Sequence, residues 1–241
     1  MRRRQLGEAD RIVTLFTREH GKVEAVAKGV RRPRSHFAGR LEFANECNFE
    51  MHRGRTLDVI VAAEIVQAHW SRIVEPQRYA VASVVAELID AFCEPELAMP
   101  ELYDLTLGAI AAIATAQAPP ELLPRFSLRL LDLLGLAPPL ESCVRCGHPL
   151  ENKSVWLDAA AGGVLHAGCR ERWRDLPELQ VADLETLRAL ARPKGTQAAV
   201  RATPRAAAAA EELIAHHLGR RPKATAELNE LTVTLSGVEG R

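Results

Sequence analysis

Four side chains of the kind that bind zinc lie within residues 143–169, and their spacing brings two separate turns of the chain to one point. Cys143 and Cys146 form a CxxC pair, and His166 and Cys169 form a second pair, which gives the pattern C-x2-C-x19-H-x2-C. Two thiolates separated by two residues reach one ion, and three cysteines with one histidine make a standard closed structural site. The spacing therefore predicts a zinc-ribbon-like segment at residues 140–175 that holds a structural zinc ion.

The residues around the two pairs support this prediction, and two alternatives stay open. Gly147 lets backbone amides turn toward sulfur, and Gly162 and Gly163 predict the turn of a hairpin between the pairs. His148 is a rival fourth ligand, although its place two residues after Cys146 makes joint coordination harder. The other alternative is a metal-free, packed remnant of such a site. Because four protein ligands leave no position for water, catalysis is not expected there.

Charge is distributed unevenly along a chain whose total is neutral, since 31 basic residues balance 31 acidic ones. Residues 1–70 carry 13 basic against nine acidic side chains, whereas residues 81–140 carry two basic against eight acidic ones. A polyanionic partner is therefore expected at the amino-terminal part. No run of about 18 apolar residues occurs and the amino end lacks the apolar core of a signal peptide, so we expect a cytoplasmic protein without a membrane span.

The amino-terminal part of the chain predicts a small β-barrel over residues 1–75. Short apolar and β-branched segments alternate there with turns, and Gly21 suits the turn of the first hairpin. Several short strands with tight turns are typical of a small barrel. The predicted strands cover residues 10–17, 22–29, 44–52 and 57–65.

From Pro76 the apolar residues recur at helical spacing, which predicts a helical domain over residues 76–241. Most of the predicted helices begin at or near a proline, and Gly219 with Pro222 stops the last one. The fold class is therefore expected to be α+β, with the zinc-ribbon-like segment embedded among helices. The predicted helices cover residues 78–93, 100–117, 120–135, 181–192 and 204–222.

A basic loop, residues 27–40, lies between the second and third predicted strands. Arginines there can neutralise phosphates and stack on bases, and an aromatic neighbour is what single-strand binders use. A solvated charged loop is the competing interpretation, but small barrels of this type bind oligonucleotides on one face and its loops. The candidate DNA-binding residues are Lys28, Arg31, Arg32, Arg34 and Arg40, with Phe37 as a candidate stacking group.

No catalytic constellation stands out, so the protein is not expected to be an enzyme. The sequence contains no GxxxxGKS or GxxxxGKT loop, no GxSxG motif and no GxGxxG motif. Cys47 and Cys93 lie in apolar segments and are expected to be buried structural residues. Trp70 and Trp156 are expected in a core or an interface rather than as platforms for base stacking.

Ordered segments along almost the whole chain resemble the RecO family of recombination mediators. In the amino-terminal part these are the acidic pair Glu8 and Asp10, the TREHGK hairpin, the AKGVRR segment and the RGRTLD segment. Further along, RFSLRLLDLLGLAPPLESCVRCG, GGVLHAGC and IAHHLGRRPK follow in the family's order. No single motif is decisive, but the ordered set is specific.

The resemblance implies an OB-fold β-barrel, a helical bundle and an embedded zinc-ribbon-like segment. It also implies a non-enzymatic, nucleoid-associated protein that binds single- and double-stranded DNA and anneals complementary strands without ATP in gap repair. The implied partners are RecR and the acidic tail of single-strand-binding protein, with RecA loaded indirectly. The alternative is a zinc-ribbon adaptor that binds only proteins and contacts DNA incidentally.

Two features differ from the usual pattern of this family. Relatives usually have more residues before RRRQLGEAD, so the first barrel strand is expected to be short and the barrel incomplete at its edge. His166 stands where relatives usually have a cysteine. Because imidazole is an ordinary zinc ligand, the zinc prediction is kept.

Overall fold

The chain forms two compact units in the computed structural model. The first unit consists of residues 1–118 together with 223–241, and the second consists of residues 119–222. No helix in the described part of the chain is both long enough and apolar enough to cross a membrane. The residues described are 3–37, 39–115, 119–151, 153–193 and 200–238, without the side chains of 232–238.

The sheet of the first unit is built from β1 (Arg3–Leu6), β2 (Asp10–Thr17), β3 (Gly21–Ala27), β4 (Glu46–His52) and β5 (Asp58–Gln67). Their order is β1-β2-β3-β5-β4, and all neighbours are antiparallel except β3 and β5. Five strands in this arrangement confirm the predicted OB-like region. In the described residues β1 and β4 are the two edges and do not pair, so the expected barrel is corrected to an open sheet whose short first strand pairs only with β2.

One face of this sheet carries the hydrophobic core of the strands. Side chains that the register places opposite each other share a face, so Val13 of β2 and Ala25 of β3 point the same way. Both are buried, together with Ala27 and Ile60. The β-branched residues of the segment 10–17 suit such a half-buried, pleated surface, which is why the sequence predicted β2 with its observed ends.

Seven helices lie in the described residues, and each begins or ends at a recognisable sequence signal. In the first unit Pro76 opens α2, and the side chain of Glu75 accepts the backbone N–H groups of Gln77 and Arg78. In the second unit the side chain of Thr203 accepts a backbone N–H at the start of α6. The helices are α1 (Trp70–Ile73), α2 (Pro76–Phe92), α3 (Pro100–Thr115), α4 (Leu122–Leu133), α5 (Val181–Ala191), α6 (Pro204–Leu218) and α7 (Lys223–Val238).

The last helix returns to the first unit and packs against α2. The backbone N–H of Ala224, in the first turn of α7, donates to Oε2 of Glu87 at 3.1 Å. A carboxylate at a helix amino terminus satisfies an otherwise unpaired N–H and interacts favourably with the helix dipole. A segment more than a hundred residues away in sequence thus completes the first unit.

The second unit combines a three-helix core with a small sheet. Helices α4, α5 and α6 pack pairwise and bury leucines such as Leu131, Leu187 and Leu213. The small sheet has the order β7-β6-β8; β6 and β7 lie in the predicted zinc-ribbon-like segment, and β8 follows it. Its strands are β6 (Val155–Asp158), β7 (Gly163–Leu165) and β8 (Glu178–Leu179).

The sequence predictions locate most of these elements, and three elements were not predicted. Each of the four predicted strands and five predicted helices overlaps an observed one, although residues 116 and 117 of one predicted helix lie outside the described residues. The elements β8, α1 and α7 are additional, while β1 is the short first strand that the family resemblance led us to expect. The predicted domain boundary at residue 75 was based on the change from strands to helices. The division into compact units instead places α2, α3 and α7 in the same unit as the sheet. The boundary stays a prediction.

Candidate functional site

The four predicted metal ligands lie together in the second unit. One ligand atom from each of Cys143, Cys146, His166 and Cys169 falls within 4.8 Å of all the others. Cys143 is buried, Cys146 is exposed and the other two are partly buried. His148, the rival ligand, is not part of this cluster of described residues. Three sulfur donors and one imidazole are a donor set that suits Zn²⁺.

A tight turn positions the first ligand pair. The backbone N–H of Gly147 donates to the carbonyl of Cys143 at 2.9 Å, and the N–H of Cys143 donates to the carbonyl of His148 at 2.9 Å. Gly147 has a φ of 75°, a left-handed conformation that glycine adopts without a steric penalty. The predicted turn at Gly147 is therefore present, and within it the backbone N–H groups of Arg145 and Cys146 donate to the sulfur of Cys143.

The second ligand pair is joined to the first through β7. The N–H of Val144, between the two cysteines, donates to the carbonyl of Val164 in β7 at 3.0 Å. His166 follows β7 directly, and the N–H of Cys169 donates back to the carbonyl of His166 at 3.0 Å. The 19-residue insert therefore folds out as the hairpin of β6 and β7 and returns the chain to its starting point.

The imidazole of His166 is oriented by a hydrogen bond on its outer side. Nε2 lies 3.1 Å from the carbonyl oxygen of Pro149, and Nδ1 lies 3.5 Å from Sγ of Cys146. Because a carbonyl can only accept, Nε2 carries the proton in the neutral ring and Nδ1 presents its lone pair to the cluster. A backbone partner on the second nitrogen is the usual way in which a ligating histidine is held in one tautomer.

The thiol groups of the cluster have strongly altered pKa values. Burial raises the pKa of Cys143, but hydrogen bonds from the backbone N–H groups of Cys146, His166 and Arg145 outweigh it and lower the pKa to about 6. The hydrogen bond with Cys146, followed by burial and the neighbouring sulfurs, raises the pKa of Cys169 to about 11. Thiolates this close repel one another unless a cation lies between them. The cluster is therefore able to hold a metal ion.

The basic loop of the first unit is held by hydrogen bonds at both ends. At its start, the N–H of Gly29 donates to Oδ1 of Asp10 at 2.7 Å. At its end, the side-chain amide of Asn45 donates to the carbonyl of Gly39 at 2.9 Å, and the thiol of Cys47 donates to the carbonyl of Arg40 at 3.2 Å. These hydrogen bonds fix both the point where the loop leaves the sheet and the point where it returns.

All five predicted cations of the basic loop are exposed. Ion pairs elsewhere in the described part of this unit engage other basic residues, such as Arg4 with Glu24 and Arg18 with Asp104. The loop cations are therefore presented to solvent, as contact with a polyanion requires. They are Lys28, Arg31, Arg32, Arg34 and Arg40.

Phe37 does not have the position that its predicted stacking role requires. The ring is 2 % exposed and packs in the core of the sheet with Val13, Ala25 and Ile60. The basic loop folds over the open sheet, and the side chain of Phe37 covers the core of the sheet. The expected stacking role is therefore corrected to a core role, because neither ring face is available to a base.

Two arginines that sequence reasoning missed lie beside the basic loop. Arg3, Gln5, Arg11 and Arg31 line one groove of about 300 Å³. The pairing of β1 with β2 places Gln5 opposite Arg11, and the N–H of Arg31 donates to the carbonyl of Ala9 at 3.0 Å. No sequence signal marks Arg3 and Arg11, because only the strand register and the folded loop bring them together.

The remaining cysteines have the environments of structural residues. Cys93 is buried, and this burial raises its pKa to about 11, which suppresses the reactive thiolate. Cys47 is partly buried, and burial raises its pKa as well. The predicted burial of Cys93 is confirmed, while Cys47 combines partial burial with its hydrogen bond to the basic loop.

Comparison with known protein families matches both parts of this chain. The model described as "Recombination protein O N terminal" matches residues 1–69, and the model described as "Recombination protein O C terminal" matches residues 74–226. The first match contains the OB-like sheet and the basic loop, and the second contains the cysteine and histidine cluster. The chain therefore belongs to the recombination protein O family, whose members act as mediators in DNA repair and recombination.

Proposed function

We propose that this protein binds single- and double-stranded DNA through the basic loop and accelerates the annealing of complementary strands without nucleotide hydrolysis. The observation that carries the proposal is the exposure of all five loop cations on a loop anchored at both ends. Cations between two strands screen the repulsion of their phosphates, while exposed side chains exchange partners rapidly. Because no covalent bond is made or broken, the protein acts as a binding protein and not as an enzyme.

The groove beside the basic loop extends the proposed DNA-binding surface. Arg3, Arg11 and Arg31 line it together, so a phosphate placed there meets two guanidinium groups from strands and one from the loop. Arginine suits phosphate because its planar fork donates two parallel hydrogen bonds. Arg3 also pairs with Glu42 at 3.0 Å, which leaves Arg11 and Arg31 as the stronger candidates for this interaction.

The proposed cellular role is that of a mediator in gap repair. Membership of the recombination protein O family supports a role with RecR and single-strand-binding protein that leads to the loading of RecA. Exposed acidic side chains in this part of the first unit include Glu94, just after α2, and Glu101, in α3. An acidic surface disfavours DNA and is left for protein partners.

The proposed role of the metal centre is structural. We propose zinc as the ion, held by Cys143, Cys146, His166 and Cys169. Four protein ligands complete a tetrahedron and leave no position for a water nucleophile. The ion would fix the hairpin of β6 and β7 against the turn that carries the CxxC pair.

The test is an annealing assay with two complementary oligonucleotides, followed without nucleotide across a series of salt concentrations. The expected result is an acceleration over the spontaneous rate that falls steeply as salt rises, because salt competes with the loop cations for the phosphates. If the protein shows a cooperative thermal transition, and is therefore folded, but does not accelerate annealing, the proposal is overturned.

An adaptor that binds only proteins is the second candidate, and an exposed tryptophan favours it. Trp173 comes after Cys169, the last of the four ligands, and is 81 % exposed. Large exposed aromatic side chains are common at protein interfaces. On this alternative, replacing the arginines of the basic loop with alanine leaves the salt dependence of DNA binding unchanged.

A further inference from the structure

Three aromatic side chains form a continuous, partly exposed cluster at the end of the basic loop. The rings of Phe43 and Tyr79 meet edge to face with centroids 5.4 Å apart, and those of Tyr79 and Trp70 do so at 6.2 Å. Tyr79 is 42 % exposed and Trp70 is partly buried. The sequence predicted Trp70 in a core or an interface, and the structure makes it a partly buried member of this cluster.

One side chain ties Trp70 to the basic loop. Oδ1 of Asn45 accepts the backbone N–H groups of His69 and Trp70, each at 2.9 Å, which fixes the start of α1. The amide group of the same Asn45 donates to the carbonyl of Gly39 at the end of the loop. The start of α1, which carries Trp70, and the end of the loop that carries Arg40 are therefore linked by three hydrogen bonds of a single residue.

An open groove of about 520 Å³ runs between these two elements. The residues that line it include the basic Arg40, the aromatic Trp70, the acidic Glu64 and the apolar Ile65. An aromatic platform beside a cation is the combination by which proteins bind unpaired bases, since the base stacks while the cation holds the adjacent phosphate. Arg72 adds a further exposed cation on α1.

We propose that this groove binds an unpaired base of single-stranded DNA, which stacks on Trp70 while Arg40 holds a neighbouring phosphate. The inference rests on the proposed DNA binding and deepens it, because it gives the basic loop an aromatic partner in place of the buried Phe37. A single strand fits the groove better than a duplex, whose bases are already stacked on one another. It also fits better than an apolar protein segment, which gains nothing from the cations of Arg40 and Arg72.

The first test uses the fluorescence of Trp70 itself. The chain has three tryptophans, so Trp156→Phe combined with Trp173→Phe leaves Trp70 as the only indole. Titration of this variant with an oligo(dT) of about 20 nucleotides is expected to quench its emission, since stacked bases quench indole fluorescence. Unchanged emission under conditions where anisotropy shows the oligonucleotide bound would overturn the inference.

The second test uses the otherwise native chain. Trp70→Ala is expected to weaken binding of oligo(dT) about 10-fold, and Trp70→Phe is expected to restore most of the affinity because it keeps an aromatic face. Binding of a duplex and the salt dependence of binding should stay the same, because no cation is removed. Trp173→Ala, at the exposed tryptophan of the other unit, is the matched control and should leave oligo(dT) binding unchanged.

These measurements separate the inference from the proposed function. Trp70→Ala could keep both its thermal transition and its full affinity for oligo(dT), while arginine variants of the basic loop lose affinity. In that case the groove does not bind a base, and the proposed function stands. If the unmodified protein binds no DNA, the proposed function fails. A blue shift of Trp70 emission that follows protein concentration, with no response to oligo(dT), would assign the groove to a second copy of this chain and overturn the inference.

Discussion

Asp10 and Gly29 are joined by a hydrogen bond of 2.7 Å from the backbone N–H of Gly29 to the carboxylate of Asp10. The bond holds the start of the basic loop to the first residue of β2. Asp10→Ala is expected to cost about 1 kcal/mol of folding stability, because a hydrogen bond to a charged acceptor is removed at a partly exposed site. Oligonucleotide affinity should fall about 3-fold, since the loop must then be ordered on binding.

Two variants serve as controls for this prediction. Asp10→Asn keeps an acceptor oxygen and should retain most of the stability and affinity, whereas Glu8→Ala removes the other acid of the pair and should change neither. Chemical denaturation and fluorescence anisotropy measure the two quantities. If Glu8→Ala and Asp10→Ala behave alike, the effect comes from net charge and not from the anchored loop.

The combined variant Arg31→Ala, Arg32→Ala, Arg34→Ala is expected to bind DNA more weakly at every sequence. The slope of log affinity against log salt should flatten by on the order of one unit for each phosphate that the variant no longer neutralises. Arg18→Ala is the control, because this exposed arginine of the same unit is paired with Asp104 at 2.9 Å. An unchanged slope in the triple variant would favour the protein adaptor.

Cys143→Ser is expected to release the metal ion and to lower the thermal stability of the protein, because binding of a structural ion is coupled to folding. His166→Cys should keep the ion, since four cysteines also make a closed zinc site. The control is His148→Ala, at the rival histidine outside the cluster, which should keep both metal content and stability. Metal analysis of the purified variants, together with thermal denaturation, decides the matter. Equal stability and no metal in either Cys143→Ser or the unmodified protein would refute a zinc centre.

Arg174→Ala is expected to destabilise the protein by about 3 kcal/mol near neutral pH, because it leaves a buried carboxylate without its cation. Asp158 is 1 % exposed and forms a two-pronged ion pair with Arg174. Burial raises the pKa of Asp158, but Arg174 and the N–H of Ala161 outweigh it and leave the pKa lowered. A lowered pKa means that the stabilisation is present above the unfolded pKa of about 3.9 and is lost as pH falls through the folded value.

The measurement is thermal denaturation of both proteins at pH 7 and at about pH 3. The difference between them should be large at pH 7 and should shrink in acid, because protonation removes the unpaired buried charge of the variant and the stabilisation by the ion pair begins to be lost in the unmodified protein. Comparing the two proteins at each pH removes the contribution of metal loss in acid, which affects both. A difference of equal size at the two pH values would contradict the role assigned to the ion pair.

Gly21→Ala is expected to cost about 3 kcal/mol of folding stability, from left-handed backbone strain and overpacking together. Gly21 has a φ of 63°, and a Cβ atom there would lie 2.0 Å from the carbonyl oxygen of Leu97. Gly7→Ala is the matched control, with a φ of 61° and no atom within 4 Å of the added Cβ. It should cost about 1 kcal/mol. Equal losses in chemical denaturation would show that the backbone at Leu97 yields easily.

The metal ligands could be predicted from the sequence because their geometry is local. Two pairs of ligands with two residues between the members must each turn tightly. Gly147 marks the turn of the first pair with a positive φ, and Gly162, also with a positive φ, marks the hairpin turn that brings the chain back to the second pair. His166 was identifiable by the same spacing that makes Cys169 its partner. The sequence carries this information because metal chemistry restricts both residue type and distance.

The nucleic-acid surface was predicted only in part, because it depends on contacts between distant segments. Phe37 has the same signal in the sequence whether it stacks on a base or covers a core, and only the folded loop decides between them. Arg11 lies in the groove beside the basic loop because of the register of β1 and β2. Trp70 was expected to be structural because nothing in the sequence shows that Asn45 links it to the basic loop.

The return of α7 to the first unit has a consequence for the order in which a nascent chain can fold. Residues 119–222 are continuous, so all of the second unit is synthesised before α7. The first unit lacks that helix, and the hydrogen bond between Ala224 and Glu87, until translation has passed residue 223. A chain whose synthesis stops earlier would carry the basic loop on an incomplete first unit. The first unit, whose synthesis begins first, is therefore the last to fold completely.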